Sequence, residues 1–85
     1  MLDKQSIEKK VVELLSNRFE IPFGDDVDYD TDLFKDGFID SIESVVVISN
    51  FEKTFGISIS PKDLIDNSMN TVNEMVAFIS KILGE

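Results

Sequence analysis

Asp40-Ser41-Ile42-Glu43-Ser44-Val45-Val46-Val47-Ile48-Ser49-Asn50-Phe51-Glu52-Lys53-Thr54-Phe55-Gly56 reads as a helix with both ends written into it. Asp40 is a favoured N-cap, and Glu43 three residues on makes an Asp-x-x-Glu variant of the capping box, so the helix is expected to begin at Ser41. Gly56 can take the left-handed conformation that terminates it. At about 100° per residue, Val45, Ile48, Phe51, Glu52 and Phe55 share one broad side, the expected core stripe. Ile42, Val46 and Val47 do not all fit that stripe. In a domain of three or four helices some of them must lie near the surface beside the helix start. Either the preceding loop covers them or, the favoured reading, they form an apolar cluster bordered by acids, as a docking surface does. Ser41 sits in the first turn, where unpaired N–H groups and the helix dipole favour a negatively charged substituent. An ordinary first-turn serine is the plainer reading of that residue alone.

Upstream, residues 19–39 carry Pro22, Gly24 and Gly37 and a dense acid series, Asp25, Asp26, Asp28, Asp30, Asp32 and Asp36. Ile21, Phe23, Leu33, Phe34 and Phe38 are too many apolar residues for a solvated tether, so the segment reads as an ordered loop pinned across the helices. Before it, Ile7, Val11, Leu14 and Leu15 fall at i, i+4, i+7 and i+8, which predicts a first helix from Asp3 to about Arg18, with Asp3 near its cap.

Downstream, Ser60-Pro61-Lys62-Asp63 places a cap residue before a proline, predicting a short helix over Pro61 to about Ile65. Thr71-x-x-Glu74 is a capping box, and Val72, Met75, Val76, Ile79, Ile82 and Leu83 keep helical spacing after it. Ile57-Ser58-Ile59-Ser60 alternates like a strand but has no second run to pair with. The expected fold is all-α: three main helices, one short helix and a long first loop, in a single domain over residues 1–85.

Composition narrows the function. An 85-residue domain buries only about 60–65% of its unfolded surface, so the core is thin. With neither Cys nor His, the chain has no thiolate nucleophile or disulfide and no Ser–His or Cys–His catalytic pair. A formal charge of −9, from 17 acids against 8 bases, disfavours nucleic acid and anionic membranes and favours partners with basic patches. The start, Met1-Leu2-Asp3-Lys4-Gln5, shows no leader pattern and no stretch is long enough to cross a bilayer, so a cytoplasmic address is expected.

Asp36-Gly37-Phe38-Ile39-Asp40-Ser41-Ile42, followed by Phe51-Glu52-Lys53-Thr54-Phe55-Gly56-Ile57, resembles the acyl and peptidyl carrier proteins. The resemblance covers essentially the whole chain, from the first helix through Thr31-Asp32-Leu33-Phe34 in the long loop to Asn70-Thr71-Val72 at the last helix. It implies a four-helix carrier bundle that is not an enzyme. Ser41 would be the hydroxyl on which a phosphopantetheinyl transferase installs 4′-phosphopantetheine from coenzyme A, with acyl or aminoacyl cargo held on its thiol as a thioester. Asp40 would serve transferase recognition, and Ile42, Glu43, Val45, Val46 and Asp36 would be partner-docking positions. Implied partners are that transferase, a loading ligase, and downstream transferases or synthases with basic patches, meeting a monomer.

Val46 and Lys53 stand where carriers of fatty-acid synthesis carry acids, and Gly-Phe-Ile-Asp-Ser is closer to carriers of amino-acid activation or specialised pathways, including D-alanyl carrier proteins. Seven phenylalanines in a thin core fill volume that a long acyl chain would need, pointing to short or polar cargo.

Two other readings compete with this one. Asp28, Asp30 and Asp32 match the first alternating ligands of a calcium-binding EF-hand loop, but Leu33 stands where its glycine belongs and Ile39 where its closing Glu belongs. An unmodified adaptor with the same fold would use the Ile42 to Val47 surface alone. Retention of Ser41 beside Asp40 speaks against it.

Overall fold

The computed structural model describes residues 3–84, and the reading of Met1 and Leu2 falls outside them. The described residues form four helices, α1 Lys4–Arg18, α2 Ser41–Phe55, α3 Pro61–Asp66 and α4 Val72–Leu83, and contain no strand. Each boundary has a local cause. Asp3 accepts from the Ser6 N–H at 2.8 Å to cap α1. Asp40, Ser60 and Thr71 each complete a capping box with Glu43, Asp63 and Glu74. Gly56 closes α2 at φ 64°, where its own N–H and that of Ile57 return to the Glu52 carbonyl.

The core joins Ile7, Val11 and Leu15 of α1 to Val72, Met75, Val76, Phe78 and Ile79 of α4, the most extensive helix pairing, and α2 adds Val47, Phe51 and Phe55. The expected α2 stripe is corrected here. Val47 is buried and Val45 is 68% exposed, because the stripe centres on Phe51 and not between Ile48 and Glu52. Val47 and Phe55 lie about 40° to either side of Phe51, whereas Val45 lies about 120° away and Ile42 about 180°. Glu52, half-buried, accepts the Ile59 N–H at 2.9 Å, which explains an acid on this flank. Ile57 and Ile59, the strand-like pair, pack against the core as half-buried residues of an irregular segment.

The loop over residues 19–40 is ordered by its own side chains. Ile21, Val27, Leu33 and Ile39 are buried, with Phe23, Phe34 and Phe38 packed beside them. Val27, unremarked among the acids, is one of its anchors. The Leu33 N–H reaches the Asn70 carbonyl at 2.9 Å, the Asn73 N–H reaches the Tyr29 carbonyl at 3.1 Å, and Asn73 Nδ2 donates to Asp30 at 2.6 Å. These bonds fasten the loop to the start of α4.

Candidate functional site

The approach to α2 is a tight return. Gly37 adopts φ 83°, a conformation costly for residues with a Cβ, and the N–H groups of Phe38 and Ile39 both bond back to the Leu33 carbonyl, at 2.8 and 3.0 Å. Ile39, 1% exposed, pins this return to the core, so Asp40 and Ser41 emerge at the surface on a fixed base.

Asp40 Oδ1 accepts the Glu43 N–H at 2.7 Å, Glu43 Oε1 accepts the Asp40 N–H at 3.2 Å, and the Asp40 carbonyl accepts the Ser44 N–H at 2.9 Å. Three of the N–H groups at this helix start are thereby occupied. Those of Ser41 and Ile42 have no hydrogen-bond partner among the described residues. Ser41 is exposed, and its Oγ is likewise unengaged there. An accessible hydroxyl beside two free amides at the positive end of a 15-residue helix fits a phosphodiester in charge, donor supply and access.

The docking positions named from the sequence divide by environment. Ile42 is 79% exposed and Val46 39% exposed, and both flank Ser41's end of α2 with Val45. Glu43 is half-buried with its carboxylate held in the capping box, and Asp36 is exposed on the loop. The long loop leaves this apolar cluster uncovered.

Starting at Ser44, about one turn along α2 from Ser41, α2 and α3 bound an open groove of about 430 Å³. Phe34, Val47, Ile48, Leu64, Ile65, Met69 and Met75 line it together with Ser44, Asn67, Ser68 and Asn70, so its wall is mostly hydrocarbon with a polar minority. The sequence reading missed this groove, since its polar wall comes from the Asn67 to Asn70 segment, which has no periodicity. The signal available was the density of Asn and Ser there.

The acid series serves backbone turns. Asp28 Oδ1 accepts from the Asp30 N–H and the Thr31 hydroxyl, and Asp32 Oδ1 accepts from the N–H groups of Phe34 and Lys35. Asp30 takes the Asn73 amide. Among the described residues no three His, Cys, Asp or Glu side chains stand close enough to hold a metal ion.

Residues 9–79 match the family model described as a phosphopantetheine attachment site. Among curated proteins, the D-alanyl carrier protein of Lactococcus lactis subsp. cremoris (strain MG1363) is 33% identical over 58 residues, which are 68% of this chain and 73% of that protein. The D-alanyl carrier protein of Lactobacillus delbrueckii subsp. bulgaricus (strain ATCC BAA-365 / Lb-18) is 27% identical over 79 residues, 93% of this chain and 96% of its own. That of Leuconostoc citreum (strain KM20) is 25% identical over 79 residues, 93% and 99% of the two chains.

Proposed function

The chain belongs to the family of phosphopantetheine attachment-site proteins, and from that premise we propose that Ser41 bears the prosthetic group and that the cargo is an amino acid of the D-alanyl class. It is a carrier protein with covalently attached 4′-phosphopantetheine. When bound, that group supplies a terminal thiol that holds cargo as a thioester, a function the Cys-free chain has no side chain to perform.

The observation that carries the attachment site is the exposed Ser41 hydroxyl next to the unpartnered N–H groups of Ser41 and Ile42. Ser41 Oγ would form the new O–P bond to the pantetheine-bearing phosphorus of coenzyme A as the pyrophosphate P–O bond breaks and adenosine 3′,5′-bisphosphate leaves, the hydroxyl proton passing to a base of the transferase. The two amides and the helix dipole would stabilise the phosphodiester charge, while Asp40, bound in the capping box, holds the turn in place and would present a carboxylate for the transferase to recognise.

A short, polar cargo is supported by the names of the relatives and by Phe51, Phe55 and Phe78 filling the core. The wider reading is a single carrier domain over residues 1–85, a non-catalytic monomer of the cytoplasm, contacting neither nucleic acid nor membrane. Carrier function entails transferase and ligase partners. Asp36 and the acid loop would steer the basic patches of a phosphopantetheinyl transferase, a loading ligase and downstream transferases or synthases, with Ile42, Glu43, Val45 and Val46 at the contact. No helix among the described residues is long and apolar enough to cross a membrane.

Incubation with coenzyme A and a broad-specificity transferase tests the site. The intact mass should rise by one phosphopantetheine, and Ser41→Ala should show no rise. An unmodified wild type, or a modified Ser41→Ala, overturns it. For the cargo, an octanoyl group on the arm should leave the melting temperature unchanged, and marked stabilisation would count against short cargo.

A further inference from the structure

Of the four glycines, Gly37 alone follows an aspartate, and no glycine follows an asparagine. Asp36 and Gly37 are both exposed, in the return that leads to Ser41. An aspartyl carboxyl stands one bond-forming step from the nitrogen of the next residue, and closure between them gives a five-membered imide. Three things ordinarily oppose it: a side chain on the following residue, a carboxylate held elsewhere, and an amide held firmly in a hydrogen bond. At Asp36 the first two are missing. Gly37 has no Cβ, and nothing lies within 4 Å of where one would stand. The Asp36 carboxylate accepts no hydrogen bond among the described residues. The third is at its weakest. The Gly37 N–H reaches the Phe34 carbonyl at 3.2 Å, the longest bond of the return, against 3.1 Å for the Asp36 N–H, 2.8 Å for Phe38 and 3.0 Å for Ile39.

The other aspartates lack this combination. Asp3, Asp28, Asp32, Asp40 and Asp63 each hold a backbone N–H with the carboxylate, and Asp30 holds the Asn73 amide. Asp25, Asp26 and Asp66 accept no hydrogen bond among the described residues, but Asp26, Val27 and Asn67 follow them, each with a Cβ that crowds the nitrogen to be attacked.

We propose that Asp36 converts to isoaspartate in the folded protein and that the conversion unseats Ser41. The Gly37 nitrogen attacks Cγ of the protonated Asp36 carboxyl, and an N–Cγ bond closes the imide as the N–H proton and the carboxyl hydroxyl leave as water. Water then adds at the main-chain carbonyl of Asp36 and breaks its bond to the Gly37 nitrogen. No oxidant or reductant is consumed, and the product has the mass of the starting protein. Its main chain now runs through Cβ and Cγ, with a carboxylate left on Cα. The added carbon–carbon bond, about 1.5 Å long, falls inside the return. On one side of it the Asp36 N–H is tied to the Asp32 carbonyl, and on the other the N–H groups of Phe38 and Ile39 are tied to that of Leu33. A return so tight has no slack, so the extra length draws Ile39 from the core or moves Asp40 and Ser41 off their base. The conversion itself needs nothing from the carrier reading; its effect at Ser41 rests on it.

The experiment ages the full chain for several weeks at neutral pH and body temperature, beside Asp36→Glu, which keeps the charge but would have to close a six-membered imide. Isoaspartyl methyltransferase with labelled S-adenosylmethionine counts the isoaspartate, and peptide mapping with electron-transfer fragmentation locates it. Aged wild type should take up label at Asp36 and not at Asp40 or Asp66, and Asp36→Glu should lose nearly all of it. The isomer is then separated from fresh protein by ion exchange and offered to a broad-specificity transferase with coenzyme A. Its kcat/KM should be lower by about tenfold or more, on the scale that a misplacement of about 1 Å imposes. Asp36→Glu should lose none of its own starting rate on ageing. Amide exchange should quicken at Phe38 and Ile39 in the isomer and stay unchanged at Met75. Aged wild type without label at Asp36, undiminished label in Asp36→Glu, or an isomer modified as fast as fresh protein overturns the proposal. So does protection lost equally at Met75, which would make the lesion global. Fresh wild type that is never modified defeats the carrier reading instead, and the label still decides the isoaspartate.

Discussion

α3 and α4 start in the same way and finish differently. Ser60-Pro61-Lys62-Asp63 and Thr71-Val72-Asn73-Glu74 both complete the two halves of a capping box. α4 then buries Val72, Met75, Val76, Phe78, Ile79 and Ser80, whereas α3 buries nothing. The difference arises after the box. Twelve residues carry an apolar stripe through more than three turns of α4, and six residues give α3 fewer than two turns and only the adjacent pair Leu64 and Ile65. A cap therefore decides where a helix begins, and the stripe decides whether it joins the core. For a carrier the division is useful: α4 is the base that holds α1 and the acid loop, and α3 keeps its apolar side chains outward at the edge of the α2–α3 groove.

The largest expected contrast comes from truncating one side chain in each helix. Ile79 is fully buried, and Ile79→Ala should cost about 2–5 kcal/mol. Against a total stability of about 5–15 kcal/mol, that lowers the melting temperature by roughly 10 °C or more. Leu64→Ala should change stability by no more than about 0.5 kcal/mol, because Leu64 is an exposed residue outside the core. Urea and thermal unfolding of both variants check the pair. Equal losses would mean that α3 is as much a part of the core as α4.

The caps give the next contrast. Thr71 Oγ1 accepts the Glu74 N–H at 3.0 Å, while Glu74 Oε1 accepts the N–H groups of both Asn70 and Thr71 at 3.1 Å. Thr71→Ala should lower global stability by about 1 kcal/mol. Ser60→Ala removes an equivalent bond to the Asp63 N–H, but from a helix with no buried residue. Its effect should appear as faster amide exchange at Asp63 and Leu64, with the global unfolding midpoint unmoved.

The same division governs how much could be read in advance. Every helix start was legible, because Asp3, Asp40, Ser60 and Thr71 are short polar residues whose side chains reach an amide three residues away, a purely local event. The rotation of α2 was not. Val45 and Val47 are identical in sequence, and only the position of α1 and α4 around α2 sends one outward and the other in. The groove was equally hidden, since Asn67 to Asn70 acquire their role by folding beside α2. Val27 was masked by the acids around it, whose carboxylates turn out to serve local turns.

Within α4 itself one residue works against the stripe. Ser80 is 7% exposed, and its Oγ is buried without a hydrogen-bond partner among the described residues. Ser80→Ala should raise stability by about 0.5–1 kcal/mol, from a removed desolvation cost and a better helix former. Differential scanning calorimetry reads it directly. A loss of stability would show that the hydroxyl has a partner in solution, and α4 would then owe part of its hold on α1 to a polar contact.

The smallest effect is expected in acid. Bonding to the Ser60 backbone N–H, then to its side chain, holds the Asp63 carboxyl below its ordinary value of 3.8, with Lys81 and Lys62 contributing. A lowered folded pKa means that the contribution to α3 is fully present above about pH 3.8 and is lost as pH falls through the folded value. Asp3 behaves in the same direction through its bond to the Ser6 N–H, but α1 is also gripped by α4 and should lose no more than its first turn. Amide protection followed down through that range should therefore fail at Leu64 and Asn67, whose N–H groups reach the Ser60 and Asp63 carbonyls, before it fails at Met75. Asp63→Asn should remove the acid step in α3 and leave α4 unchanged. Simultaneous loss at Leu64 and Met75 would mean that the two helices unfold as one unit, and the contrast between a capped helix and a packed one would not survive.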